Sequence, residues 1–149
     1  MRAPPLRILL VDDNRHGLIA RRAVLQQHGY EVVIAPGGQE GIDRFSAEEF
    51  DLVVTDYRMP EVSGQQVIRK IRQQNPQVPV VVLSGYVEPL GLTEASTGVD
   101  AVLSKGPREV QELLRTIVRL ARKRPTARPA AKAAAAAAGA GRAGRRKTG

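Results

Sequence analysis

The 149-residue chain contains no cysteine, which excludes a disulfide framework and any thiolate-ligated metal. Aromatic residues make up only 3% of it, leaving little with which to stack on nucleic-acid bases. Long apolar runs are missing as well. The start, Met1-Arg2-Ala3-Pro4-Pro5, leads into Ile8-Leu9-Leu10-Val11 and then two aspartates, too short a stretch for the core of a signal peptide. No other run approaches membrane-spanning length, so the chain is expected to be soluble and cytoplasmic. A Gly-rich phosphate loop of the P-loop or dinucleotide type is also lacking; Gly37-Gly38 reads as a turn. Acidic residues stop early. From Arg122 onward there are nine Lys/Arg and no acid, which leaves 14 of the 23 basic and all 15 acidic residues in 1–121. The body is therefore near neutral, at −1, and the nine charges of the C-terminal segment account for the chain's whole excess of +8.

What remains is an alternation. Short apolar runs at Arg7–Val11, Glu31–Ala35, Leu52–Thr55, 79–83 and Ala101–Ser104 read as five buried strands. Segments of helical length lie between them, over 14–28, 38–49, 63–75 and, more weakly, 88–97, with a last helix over 108–123. Val110, Leu113, Leu114, Ile117 and Leu120 line one face of that last helix, the spacing of a stripe that faces a core. Gly29 and Asn75-Pro76 are stop signals, and Pro107 sits where a first-turn proline is tolerated. The fourth segment holds Pro89, Gly91, Thr93, Ser96 and Thr97 and is expected to be short or mobile. Strictly alternating strands and helices predict a parallel sheet covered on both faces. The segment 125–149, built of Pro, Ala, Gly, Arg and Lys without a periodic apolar face, reads as disordered; its alanine stretch at 130–138 is shorter than an isolated helix needs.

Chemistry collects at the strand ends. Asp12 and Asp13 close the first strand and Asp56 closes the third, at the carboxyl edge where ligands bind in open α/β sheets. Two carboxylates about 4 Å apart repel by roughly 4 kcal/mol at an effective dielectric near 20. A hard, oxygen-preferring cation would offset that. Simpler readings exist for each residue alone: Asp13 or Asn14 as a helix cap, Asp56 as a turn residue, Lys105 as an exposed lysine and Ser84 as a strand-end hydroxyl. Met59 and Pro60 are expected to shape the loop after Asp56, and Gly64 to permit a close approach or unusual backbone angle. His16 and His28, both on the first helix, read as surface residues.

The ordered set Asp12-Asp13, Asp56-Tyr57-Arg58-Met59-Pro60 with Gly64, Ser84-Gly85 and Ser104-Lys105 closely resembles the receiver domain of two-component response regulators. The resemblance covers about residues 6–122, so residues 1–123 are expected to form the receiver and 124–149 a disordered basic tail. It implies a flavodoxin-like, doubly wound five-stranded parallel sheet in the order 2-1-3-4-5. It further implies that Asp56 is the phosphoacceptor, taking a phosphoryl group from a sensor histidine kinase or a histidine phosphotransfer protein. Asp12, Asp13, Asp56 and the backbone carbonyl of Arg58 would hold Mg²⁺. Lys105 and Ser84 would meet the phosphoryl group, with Ser84 moving as it arrives. Such a protein is not an enzyme in the ordinary sense: it assists its own phosphorylation and dephosphorylation, and signals to a downstream protein by contact. Arg58 and Tyr86 occupy positions that flank the phosphoryl site, where their bulk would restrict the attacking water and slow dephosphorylation.

Two positions depart from the family pattern. An aromatic that usually stands three residues before the lysine is Val102 here, and Tyr86 is the movable ring that would substitute for it. Proline usually follows the lysine directly, whereas here the order is Lys105-Gly106-Pro107; a cis bond before Gly106 would cost about 2.5–4 kcal/mol, so a trans bond and a differently shaped loop are expected. These departures leave the phosphoryl chemistry intact and place conventional output in question. They also keep open a docking module that takes no phosphate. A different class of function rests on the C-terminal segment, whose nine positive charges from Arg122 onward suit non-specific binding to DNA or another polyanion; the plain alternative is a solubilising extension.

Overall fold

The computed structural model describes residues 4–85 and 87–123. Tyr86 and the basic tail at 124–149, and with the tail the nucleic-acid alternative, lie outside the described residues.

Each short apolar run becomes a strand, and all five pair in parallel. The strands are β1 (Arg7–Val11), β2 (Glu31–Ala35), β3 (Leu52–Thr55), β4 (Val80–Ser84) and β5 (Ala101–Ser104), in the order β2-β1-β3-β4-β5. The expected 2-1-3-4-5 sheet is thus the observed one. Side chains alternate across each strand, which splits the core in two. Leu9, Val11, Val53, Val80 and Val82 point to one face, where they meet α2 (Gly38–Ala47) through Phe45 and α3 (Gly64–Gln74) through Val67, Ile68 and Ile71. Ile8, Leu10, Leu52, Val54, Val81 and Leu83 point to the other, against Leu18 and Leu25 of α1 (Arg15–Gln27) and Leu113, Ile117 and Leu120 of α6 (Glu109–Lys123).

The sheet register levels the strand ends. Val11 pairs with Thr55, so Asp12 and Asp56 leave neighbouring strands side by side. Ser84 pairs with Ser104, so Lys105 emerges next to them. The fourth strand runs from 80 to 84 rather than 79 to 83: Pro79 has no N–H to donate and contributes only its carbonyl, which accepts from Val53 N at 3.0 Å. Asn14, not Asp13, caps α1, its side chain accepting from Gly17 N at 3.1 Å. Ser63 and Gln66 form a reciprocal capping box on α3.

The single weak helix expected over 88–97 is instead two four-residue helices, α4 (Val87–Leu90) and α5 (Glu94–Thr97). Gly91 between them has φ 61°, and Gly98 ends α5 at φ 75°. Thr93 caps α5 in a second reciprocal box with Ser96. The poor propensity of this stretch therefore resolves into a break at glycine. Among the described residues no peptide bond is cis, as expected for Lys105–Gly106. Nor is any helix of these residues long and apolar enough to cross a membrane.

Candidate functional site: an acidic pocket at the carboxyl edge of the sheet

Asp12 and Asp56 are buried and Asp13 is exposed; each offers a carboxylate oxygen within 4.8 Å of those of the other two. The backbone fixes them through the ladder: Asp12 N donates to Ala35 O at 3.2 Å and Asp56 N to Val11 O at 2.9 Å. Lys105 bridges two of the acids, its Nζ lying 2.8 Å from Asp12 Oδ2 and 2.9 Å from Asp56 Oδ2. Its own N–H donates to Ser84 O at 3.0 Å, which ties the lysine to the end of β4. Ser84 is completely buried there. Asp12, Asp13, Asp56 and Lys105 thus meet at one edge, beside the end of β4 that carries Ser84; Tyr86 is not among the described residues. Arg58 is exposed on the loop after Asp56. Val102 is half-buried against the core. His16 and His28 are exposed, as expected.

The acids differ in how well they are satisfied. Asp12 Oδ1 accepts from Asn14 N at 3.0 Å, while Oδ2 accepts from both Lys105 and Arg21. Burial opposes ionisation of Asp12, but the Lys105 hydrogen bond, the Asn14 N–H and the charges of Lys105 and Arg21 outweigh it, holding the carboxyl below the ordinary range. Asp13 goes the other way. Partial loss of water, a hydrogen bond shared with Asp12 and the negative charges of Asp12 and Asp56 push it up. Lys105 is raised: burial works against its charge, but hydrogen bonds to Asp12 and Asp56 prevail. Asp56 accepts at Oδ1 from Tyr57 N at 2.7 Å. The three carboxylates outnumber the two cations that reach them, Lys105 and Arg21, and Arg21 also serves Glu109, so the cluster stays net negative. A divalent cation of the hard, oxygen-binding kind fits that donor set.

The loop that carries Asp56 is held from behind by Gly64, whose N–H donates to Tyr57 O at 2.8 Å. A Cβ at Gly64 would run into the Asp56 carbonyl and stand 2.6 Å from Tyr57 Cα. Those are backbone atoms, which cannot rotate away, so the expected close approach is real. Met59 packs into the core from this loop. Glu61, one residue past Pro60, has φ 67°, a left-handed conformation that costs a non-glycine residue about 1–2 kcal/mol. Gly64→Ala is expected to lower the unfolding free energy by about 2 kcal/mol, read as the midpoint of urea unfolding. An unchanged midpoint would mean that the loop yields freely.

Arg21 is the site residue that sequence reasoning missed. It lies on the inner stripe of α1 with Leu18 and Leu25, only 8% exposed. Its NH1 is 3.2 Å from Asp12 Oδ2 and its Nε 2.7 Å from Glu109 Oε2. The available signal was a lone charge in an otherwise apolar helical stripe, a place where charge survives only when paired. Gly17, one turn earlier, leaves the room: a Cβ there would stand 3.0 Å from Arg21 NH1.

A family model described as the response regulator receiver domain matches residues 8–118. The transcriptional regulatory protein GlrR of Escherichia coli is 35% identical over 102 residues, which cover 68% of this chain and 23% of GlrR. The chain therefore spans about a quarter of that relative. Among solved structures, the response regulator receiver protein from Sinorhizobium medicae is 31% identical with a TM-score of 0.71, covering 81% of this chain and 98% of that one. The response regulator protein TrrA from Thermotoga maritima, in complex with Mg(2+)-BeF, is 29% identical with a TM-score of 0.70, covering 77% and 98%. These matches favour the receiver reading over the nucleic-acid alternative.

Proposed function

This chain belongs to the response regulator receiver family, and on that premise we propose that Asp56 accepts a phosphoryl group at the acidic pocket with Mg²⁺ as cofactor. Receiver domains take their phosphoryl groups from histidine kinases, so the donor is the phosphohistidine of a sensor kinase or of a histidine phosphotransfer protein. The observation that carries the reading is the pairing of a three-carboxylate cluster with a lysine bridging Asp12 and Asp56. A carboxylate oxygen of Asp56 attacks phosphorus, forming an acyl phosphate as the P–N bond to the imidazole breaks and its electrons return to the ring.

Asp12, Asp13, Asp56 and the Arg58 carbonyl would hold Mg²⁺, whose chemistry there is to neutralise charge on the phosphoryl oxygens. Lys105 supplies a mobile point charge from the other side, and Ser84 supplies a hydroxyl donor. The protein is a phosphoacceptor that assists its own modification rather than an enzyme with an independent substrate, and its output is contact with a downstream protein.

The test is intact mass after incubation with acetyl phosphate. One phosphoryl adduct is expected with Mg²⁺ and none after metal removal with EDTA. An adduct undiminished by EDTA would overturn the metal-assisted reading; no adduct from acetyl phosphate or from a competent histidine kinase would overturn the phosphoacceptor reading.

A further inference from the structure

Arg21 is buried beside the acidic pocket, yet the chemistry above does not use it. A guanidinium with 9% of its side chain exposed needs full pairing to be tolerated. It has that pairing from two directions, Asp12 at the end of β1 and Glu109 at the start of α6, 88 residues away. Glu109 is itself divided. Its Oε2 takes Arg21 and its Oε1 accepts from Gly106 N at 3.1 Å. Gly106 follows Lys105, whose ammonium returns to the same Asp12 oxygen that Arg21 holds. The contacts close a ring, from Asp12 through Arg21, Glu109, Gly106 and Lys105 back to Asp12.

We propose that Arg21 is a positioning residue that sets the cation affinity of the acidic pocket and carries its occupancy to the Lys105–Glu109 turn and the start of α6. The inference rests on the receiver reading. Asp12 Oδ2 is shared by two cationic side chains, so a divalent cation entering the pocket competes with both for one oxygen. As Asp12 turns its charge toward the cation, Arg21 leans more on Glu109, and Glu109 changes its hold on Gly106. The planar, always-charged guanidinium can bridge two carboxylates at once, which a lysine ammonium on a flexible stem does poorly. The route needs no rotating ring, and β5 offers Val102 where an aromatic would stand. It also passes through the turn where Gly106 separates Lys105 from Pro107, the other departure from the family pattern.

Electrostatics gives two variants opposite signs. Arg21→Met removes a competing cation from Asp12 and should tighten Mg²⁺ binding by about fivefold, the low end of ordinary coupling between sites. Glu109→Gln leaves Arg21 uncompensated against Asp12 and should weaken Mg²⁺ binding by a similar factor. A residue that merely held the fold together would weaken binding in both. The experiment is amide NMR on the ¹⁵N-labelled full chain, titrated with Mg²⁺ alone and then with beryllium fluoride added. In the unsubstituted protein the amides of Tyr57, Gly106 and Glu109 should respond together. In Arg21→Met the responses of Tyr57 and of Gly106, which Lys105 reaches directly, should persist while that of Glu109 largely vanishes.

A Glu109 response that survives Arg21→Met, or affinity changes of the same sign in both variants, would overturn the inference while leaving the receiver reading standing. No response at Tyr57 in the unsubstituted protein overturns the metal-binding reading, and this inference with it. Should Arg21→Met fail to fold, Arg21→Gln takes its place: it removes the cation from Asp12 while keeping a polar side chain that can still meet Glu109, so tighter Mg²⁺ binding is again the expected sign and weaker binding overturns the inference.

Discussion

Asp56→Asn is expected to take up no phosphoryl group from acetyl phosphate or from a kinase, with intact mass unchanged under conditions that modify the unsubstituted chain. The substitution preserves shape and keeps an oxygen that can accept the Tyr57 N–H, which now bonds Asp56 Oδ1 at 2.7 Å. It removes the anionic nucleophile, and the two neighbouring acids are poor replacements. Asp12 is already engaged by three donors, the Asn14 N–H, Lys105 and Arg21. Asp13 is exposed, and Lys105 bridges Asp12 and Asp56 rather than Asp13. Loss by a factor of about 10³ or more is therefore expected, comparable to removing the nucleophile from other covalent mechanisms. An adduct of equal yield in Asp56→Asn would move the chemistry to another residue and sink the assignment.

Most of this site could be read from the chain because of a local rule. A buried parallel strand is a short apolar run, and the first polar residues after it fall at the carboxyl edge of the sheet. Asp12, Asp56 and Lys105 all follow such runs, so the alternation of elements brought them to one edge before any contact was known. Strand boundaries were legible to within one residue for the same reason, and the one shifted strand turned on the missing N–H of Pro79. The helix over 88–97 was less legible because weak propensity says that a helix is poor without saying where it breaks; Gly91 at φ 61° decides that. The left-handed Glu61 gave no signal, since glutamate carries no preference for that conformation.

Arg21 escaped for a different physical reason. Its meaning lies in a pairing across 88 residues, and only the packing of α1 beside α6 on one face of the sheet brings the partners together. Periodicity could flag the arginine as out of place between Leu18 and Leu25, but it could not name Asp12 and Glu109. The acid set has a local signature at strand ends. The basic network that tunes it does not.

Lys105→Ala is expected to slow phosphoryl uptake by about 10²–10³, or roughly 2.7–4 kcal/mol in the barrier, the usual loss when one donor to a developing anion is removed. In the resting protein the ammonium lies between Asp12 and Asp56 at 2.8 and 2.9 Å, so it begins close to where the phosphoryl oxygens must arrive. Its folded-state pKa is raised because the bonds to Asp12 and Asp56 outweigh burial. The stabilisation from that shift is therefore complete below the ordinary lysine value, about 10.4, and is lost only as pH rises through the higher folded value.

At neutral pH the variant should consequently unfold more easily without metal, since Asp56 loses its ammonium partner. The loss should fall short of the roughly 3–5 kcal/mol seen when a fully buried pair is broken, because 23% of the lysine side chain is exposed. Mg²⁺ should recover that stability by mass action on the folded state. It should also bind the variant at least as tightly as the unsubstituted protein, because a competing cation has left the pocket. Slow phosphoryl uptake with undiminished Mg²⁺ affinity, measured by calorimetric titration alongside the mass assay, separates a charge acting on the phosphoryl group from a lysine that only braces the acids. A parallel fall in both quantities would leave Lys105 the bracing role alone.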